Sequence, residues 1–331
     1  MNIDTAHPLF LLPFDHRASF KKGLLGITGP PDTAQRRRVS DLKMLIWEGF
    51  EEALAYGAPR ERCGVLVDEE FGADVARAAR SAGVALAMPV EKSGQDEFEL
   101  AYGDGFFAHI EDFDPDFVKV LVRYNPEGDP SLNERQEIRL AQLSEWVRAH
   151  DASLLFELLV PPTAAQTAKA GDDPRAYERN ALPGLIVDAI SALQGAGVEP
   201  DIWKIEGIDD RAGCARAAAQ ARLAGRDRVV CIVLGHGADA ERVRHWLEVA
   251  AGIDGYAGFA AGRTIWRDPI TDHLTGKIDR EAARDRIARN YLDMINTYQA
   301  AAEEASATPS FDQQTSDDET AVSTKGRANR S

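Results

Sequence analysis

"DIWKIEG", residues 201–207, is a short apolar run with a lysine at its centre. Read as a strand, it puts Ile202, Lys204 and Glu206 on one face and Trp203 and Ile205 on the other. A large apolar group stands on each face, as in a strand covered on two sides. Seven further runs of this kind are spread along the chain: "LFLLPF" (9–14), "CGVLVD" (63–68), "VALAMPV" (84–90), "FVKVLVRY" (117–124), "SLLFELLV" (153–160), "RVVCIVLG" (228–235) and "GYAGFAAG" (255–262). Helical patterns lie between them. Residues 33–56 place Val39, Leu42, Leu45, Ile46 and Phe50 at helical spacing, and residues 131–149 do the same with Ile138, Leu140, Leu143 and Trp146. Residues 72–82, 183–196, 211–224, 238–251 and 279–303 complete the set. The third connection, 91–116, reads as a loop with a short helix near 111–115.

Eight strands alternating with helices predict an α/β fold, a closed (β/α)₈ TIM barrel forming one domain over residues 1–304. A doubly wound open sheet is the competing architecture. It is disfavoured because no GxGxxG follows the first strand and no change of composition marks a second domain. Residues 305–331 are polar and poor in large apolar groups, which predicts a disordered tail.

Composition narrows the function. The 331 residues carry 54 acidic and 38 basic side chains, a formal net charge of −16, which speaks against nucleic acid and anionic membranes as partners. Cys63, Cys214 and Cys231 are scattered and show no metal-binding spacing, as expected for a reduced, cytoplasmic protein. The N-terminus lacks the charged and apolar segments of a signal peptide, and no apolar run approaches the ~20 residues of a membrane helix. No metal or cofactor is expected, and a homo-oligomeric state is left open.

In such a barrel the reacting groups sit at the carboxyl ends of the strands. Those ends offer Asp15, His16 and Arg17; Asp68 and Glu69; Glu91 and Lys92; Lys119 and Arg123; Glu157; Lys204 and Glu206; "GHG", Gly235, His236 and Gly237; and finally Arg263. Lys119, Glu157 and Lys204 lie on three consecutive strands, each within an apolar run. A salt-bridged triad kept only for stability is one reading, but buried ion pairs are weak stabilising devices. The alternative is Schiff-base chemistry. An amine attacks a ketone only when neutral, and burial with a second ammonium nearby lowers a lysine from its ordinary value of about 10.4. Lys204 is then the nucleophile and Lys119 the second charge. Glu157 is placed for proton transfer, with Asp15 as a further acid or base. The glycine-rich turn at 235–237, the helix start that follows it and Arg263 suit a phosphate. Arg123, His16 and Arg17 are further candidates for substrate contact.

The motifs "LLPFDHRASF", "VLVDEEFG", "VEKSG", "FVKVLVRYNPEGD", "LLFELLV", "DIWKIEG" and "FAAGRTIWRD" together resemble the class I aldolases of the tagatose-bisphosphate aldolase type. They are most similar to a sub-branch, the aldolase-like domain fused behind 5-dehydro-2-deoxygluconokinase in inositol catabolism. The resemblance covers about residues 8–295. It implies a barrel that cleaves a phosphorylated keto sugar or keto sugar acid without metal. Lys204 would carry the Schiff base, Lys119 would support it, Glu157 would transfer protons and Arg263 would contact phosphate; Asp15 matches the aspartate after the first strand. His16 stands where the tagatose branch commonly carries glutamine. The sub-branch implies 2-deoxy-5-keto-gluconate 6-phosphate as substrate, with dihydroxyacetone phosphate and malonate semialdehyde as products. Tagatose bisphosphate or a related ketose phosphate is an alternative substrate. Two other functions compete: a non-catalytic sugar-phosphate sensor, and a metal-dependent aldolase, against which His16, His109, His236 and His245 show no close pairing.

Overall fold

A computed structural model describes residues 3–173 and 175–307. The elements run β1 (Leu9–Pro13), α1 (Ala18–Leu25), α2 (Thr33–Ala55), β2 (Cys63–Leu66), α3 (Glu69–Ala82), β3 (Ala85–Pro89), α4 (Phe106–Phe113), β4 (Phe117–Arg123), α5 (Pro130–Ala149) and β5 (Ser153–Leu159). They continue with α6 (Ala164–Ala170), α7 (Ala176–Asn180), α8 (Leu182–Gly195), β6 (Ile202–Glu206), α9 (Arg211–Ala221), β7 (Val230–Leu234), α10 (Ala240–Ala250), β8 (Tyr256–Ala260), α11 (Arg263–Leu274) and α12 (Arg280–Ala307). The eight strands are parallel, pair in sequence order, and close with β1 against β8. This is a (β/α)₈ TIM barrel, and the closure excludes the open doubly wound sheet.

Both faces of the strands are apolar because two cores meet on them. The outer core packs helices on the barrel and includes Phe10, Val65, Val120, Phe156, Trp203 and Val233. The inner core fills the amino-terminal half of the barrel with Leu11, Phe117, Leu155, Ile202 and Ile232. Going up each strand by twos, the interior then turns polar: Phe117 gives way to Lys119, Leu155 to Glu157 and Ile202 to Lys204. Register fixes these groups in space, since Glu157 pairs with Lys204 and Lys119 with Leu155.

Closure requires an adjustment on β8. Cys231 pairs with Tyr256, but Val233 pairs with Phe259, so β8 carries one extra residue, a β-bulge. Gly258 sits there with φ +108°, and a Cβ on it would come within 1.9 Å of the Leu9 carbonyl oxygen. Only glycine combines that dihedral with that approach.

Several elements differ from the sequence reading. The short helix of the third connection is α4, displaced toward the N-terminus from 111–115 and ended by Asp114 at φ +46°. Helices α1, α6, α7 and α11 are additional; α1, α6 and α7 have at most eight residues, too few to show a clear helical period. Helix α12 continues through Ala307, so the boundary at 304/305 falls inside it. The remainder of the expected tail, from residue 308, lies outside the described residues. Among the described residues no helix is long and apolar enough to cross a membrane.

Candidate active site

The polar upper half of the barrel opens into a cavity of about 430 Å³, lined by Asp15, His16, Arg17, Lys119, Arg123, Glu157, Lys204, Gly235, His236, Gly237 and Arg263 among others. These eleven candidates of the sequence reading border one cavity, whereas Asp68, Glu69 and Glu206, offered at strand ends as well, do not line it.

At its floor the charged groups form a chain. Lys204 Nζ lies 2.7 Å from Glu157 Oε1, and Glu157 Oε2 lies 3.0 Å from Lys119 Nζ. Lys119 Nζ also donates to Asp15 Oδ2 and to Glu91 Oε1, both at 2.9 Å. The two lysines thus differ sharply: Lys119 is surrounded by three carboxylates, whereas Lys204 touches one.

That difference sets their protonation. Burial works against the Lys119 ammonium, but Asp15, Glu157 and Glu91 outweigh it and hold the group well above the ordinary lysine range. For Lys204 burial is the largest influence and wins: Glu157 opposes it, the Lys119 charge adds to it, and the amine loses its proton more readily than an ordinary lysine. Asp15 and Glu157 are held below the ordinary carboxylate range. Burial opposes their ionisation, and the Lys119 ammonium, aided by Lys204, overrides it. Glu91 goes the other way: burial raises it despite Lys119 and Arg17.

The sequence reading made Lys119 the second ammonium that depresses Lys204. The structure keeps that contribution but ranks it behind burial. Lys119 is in addition the counter-charge of a carboxylate cluster. Glu91, which the sequence offered only as a strand end, belongs to that cluster. Period-2 counting from Ala85 through Ala87 and Pro89 reaches it, because it shares their inward face.

The cavity has two cationic walls. On one side the guanidinium of Arg263 lies over Gly237, where a Cβ would stand 2.6 Å from the Arg263 Cζ. Gly237 (φ +72°) and His236 (φ +47°) are both in the left-handed region, which folds the loop back under the arginine. His236 Nδ1 lies 2.8 Å from Glu206 Oε1, and this contact raises the imidazole above its ordinary value. Glu206 Oε2 accepts from the Val160 amide at 2.8 Å. Glu206 therefore serves His236 and the main chain, and not Lys204, whose face it shares. The expected helix start after "GHG" needs correction. Asp239 caps α10 by accepting from the Arg242 amide at 2.8 Å. An anion has little to gain there. Helix α11, which begins at Arg263 and has no side-chain cap, opens on the cavity instead.

On the other wall, Arg17 donates to the Glu91 carbonyl at 2.7 Å and Arg123 to the Gln95 carbonyl at 2.7 Å. The Nε of Arg17 and the Nε2 of Gln95 are buried without a protein partner. His16 stands edge-on to Trp266, its ring centroid 5.6 Å away. Burial pushes His16 down to about 4, so at neutral pH it is an uncharged hydrogen-bonding group and not a cation for phosphate. Asp68 and Glu69, also offered at a strand end, stay out of the cavity. Asp68 pairs with Lys43 behind the barrel wall, and Glu69 pairs with His109 at 2.8 Å.

Among the described residues, no group of three or more His, Cys, Asp or Glu side chains could hold a metal ion. Tagatose 1,6-diphosphate aldolase of Listeria monocytogenes is 26% identical over 200 residues, which are 59% of this chain and 54% of that one. Tagatose 1,6-diphosphate aldolase 2 of Streptococcus mutans is 27% identical over 154 residues, 45% of this chain and 43% of that one. The chain spans about half the length of these curated relatives. A solved structure of a Schiff base forming fructose-1,6-bisphosphate aldolase shares the fold, with a TM-score of 0.53, 15% identity, and coverage of 89% of this chain and 96% of that one. The family model described as "Uncharacterized protein conserved in bacteria (DUF2090)" matches residues 2–302, and the chain belongs to that family.

Proposed function

We propose that the protein is a class I aldolase, a carbon–carbon lyase that cleaves a phosphorylated keto sugar or keto sugar acid through a Schiff base on Lys204. The observation that carries this reading is the contrast between two buried lysines 2.7 and 3.0 Å from the two oxygens of one carboxylate, only one of which is poised to lose its proton. Two relatives named tagatose 1,6-diphosphate aldolase and a barrel shared with a Schiff base forming aldolase support it.

In this mechanism the neutral Lys204 amine adds to the substrate ketone, forming a C–N bond. Glu157, hydrogen-bonded to that nitrogen, relays the protons as the carbinolamine loses water to give the iminium. A carboxylate at the cavity floor, Glu157 or Asp15, takes the proton of the hydroxyl on the β-carbon. The bond between the α- and β-carbons then breaks, an aldehyde leaves, and the electron pair neutralises the iminium to an enamine. Protonation at carbon and addition of water release the second product and restore Lys204. Lys119 remains an ammonium throughout and balances the negative charges around it.

For the substrate, we favour 2-deoxy-5-keto-gluconate 6-phosphate, giving dihydroxyacetone phosphate and malonate semialdehyde, on the resemblance of the motif series. Tagatose bisphosphate is the alternative. Incubation with keto-sugar phosphates, including both of these, should release triose phosphate from one of them, and chelators should leave the rate unchanged. Release from none would sink the reading. Arg263 and the Gly235–Gly237 loop are the proposed phosphate contacts. Arg263→Ala should raise KM for the phosphorylated substrate by roughly 10- to 100-fold, since a charge-assisted hydrogen bond is worth about 1.5–3 kcal/mol. An unchanged KM would move the phosphate elsewhere, with Arg17 and Arg123 the next candidates.

A further inference from the structure

Lys43 is a second kind of buried lysine. It lies on α2, fully buried, and does not border the cavity. Its Nζ pairs with Asp68 Oδ1 and donates to the Phe14 carbonyl at 2.8 Å. The rings of Phe20 and Phe71 enclose it at 5.5 and 5.9 Å. Asp68 is held in turn, because its Oδ2 accepts from the Phe71 amide at 3.0 Å and caps α3. An ion pair buried this deeply is a poor way to gain stability, because desolvation consumes most of the attraction. What the amino group does is donate to a carbonyl, a contact that an apolar residue could not make.

The contact is at a critical peptide. The Phe14 amide still belongs to the ladder, donating to Leu66 at 2.8 Å. Past it the chain leaves the sheet, and the next side chain is Asp15. The last carbonyls of this stretch are taken by side chains from helices: Trp266 Nε1 of α11 donates to Pro13 at 2.9 Å, and Lys43 takes Phe14. Between them they fix the end of β1 from two flanks, and Asp15 projects from that end to Lys119.

We infer that Lys43 is a positioning residue whose amino group, anchored by Asp68, holds the Phe14 carbonyl and thereby presents Asp15 to Lys119 in the cavity. The inference rests on the Schiff-base reading for its kinetic consequences, but not for its structural ones. A carboxylate displaced on the order of 1 Å can cost about 100-fold in rate.

The test compares two variants. Lys43→Met leaves Asp68 buried and unpaired, so it should lose stability as well as activity. Lys43→Met with Asp68→Asn removes both charges and keeps an oxygen to cap α3. The double variant should melt near the wild type, yet retain a kcat lowered about 10- to 100-fold, as expected for misplacement of a reacting group. Its KM should change little, since Arg263 and the glycine loop are untouched. Amide exchange at Asp15, His16 and Arg17 should be faster than in the wild type. Recovery of kcat together with the melting temperature, or unchanged exchange at those amides, would overturn the inference. Borohydride trapping of wild-type Lys204 with dihydroxyacetone phosphate separates the two claims. With no wild-type adduct the Schiff-base reading falls, and the exchange of those three amides alone decides for or against Lys43.

Discussion

Lys204→Arg should eliminate turnover, with a loss on the order of 10⁴- to 10⁶-fold, the scale seen when a covalent nucleophile is removed. A guanidinium keeps its charge under all practical conditions and has no lone pair to offer a ketone. It can still pair with Glu157, so the fold should survive. Borohydride added to the wild type with substrate should reduce the iminium and leave a stable adduct on the peptide containing Lys204; the arginine variant should leave none. The pH dependence carries a sign as well. The reaction needs the neutral amine, so the acidic limb of the profile reports the proton leaving Lys204. Burial lowers that amine, which places the limb below the ordinary lysine range. Full activity in Lys204→Arg, or an adduct mapped only to another lysine, would leave Lys204 a structural charge.

The eight strands were legible because a barrel strand is covered on both faces, which writes a compact apolar run into the chain. Strict alternation within those runs also placed Lys119, Glu157 and Lys204 on one inner surface, since parity does not depend on the rest of the fold. What alternation cannot supply is the partner across the barrel. Lys119 meets Asp15, 104 residues away, only because closure brings β1 and β4 to one floor. Glu91 shares the parity of β3 but lies past its last ladder residue, where parity is weaker guidance. Glu206 illustrates the reverse limit. It shares the face of Lys204, yet its carboxylate is captured by His236 and the Val160 amide, groups supplied by the loops after β7 and β5. Lys43 was invisible because its apolar helix face reads as a stripe interrupted by one lysine, and that pattern ordinarily marks a side chain that reaches water. Helix α11 was hidden by Pro269 within it and by the "AGR" motif at its start.

Lys119→Met should separate charge from nucleophilicity. The variant keeps the stem and removes an ammonium that Asp15, Glu91 and Glu157 all touch. Breaking a buried pair typically costs about 3–5 kcal/mol, because the remaining charges stay desolvated. The pH at which that cost appears follows from the directions of the shifts. Asp15 and Glu157 are held below their ordinary values, so their contribution to stability is present above the unfolded carboxylate range, about pH 4, and is lost as pH falls through their folded values. Lys119 is held above its ordinary value. Its contribution is fully present below the unfolded value of about 10.4 and is lost as pH rises through the folded one. The variant should therefore melt far below the wild type at neutral pH, and the gap should narrow in acid as the three carboxylates take up protons. Activity should shift as well. Without the Lys119 charge, and with Glu157 free to favour its one remaining ammonium, Lys204 holds its proton more tightly, so the acidic limb moves to higher pH. The adduct should still form on Lys204 once the pH is raised. A gap in melting temperature that stays constant with pH would remove Lys119 from the role of counter-charge, and loss of trapping at every pH would make Lys119 itself the nucleophile.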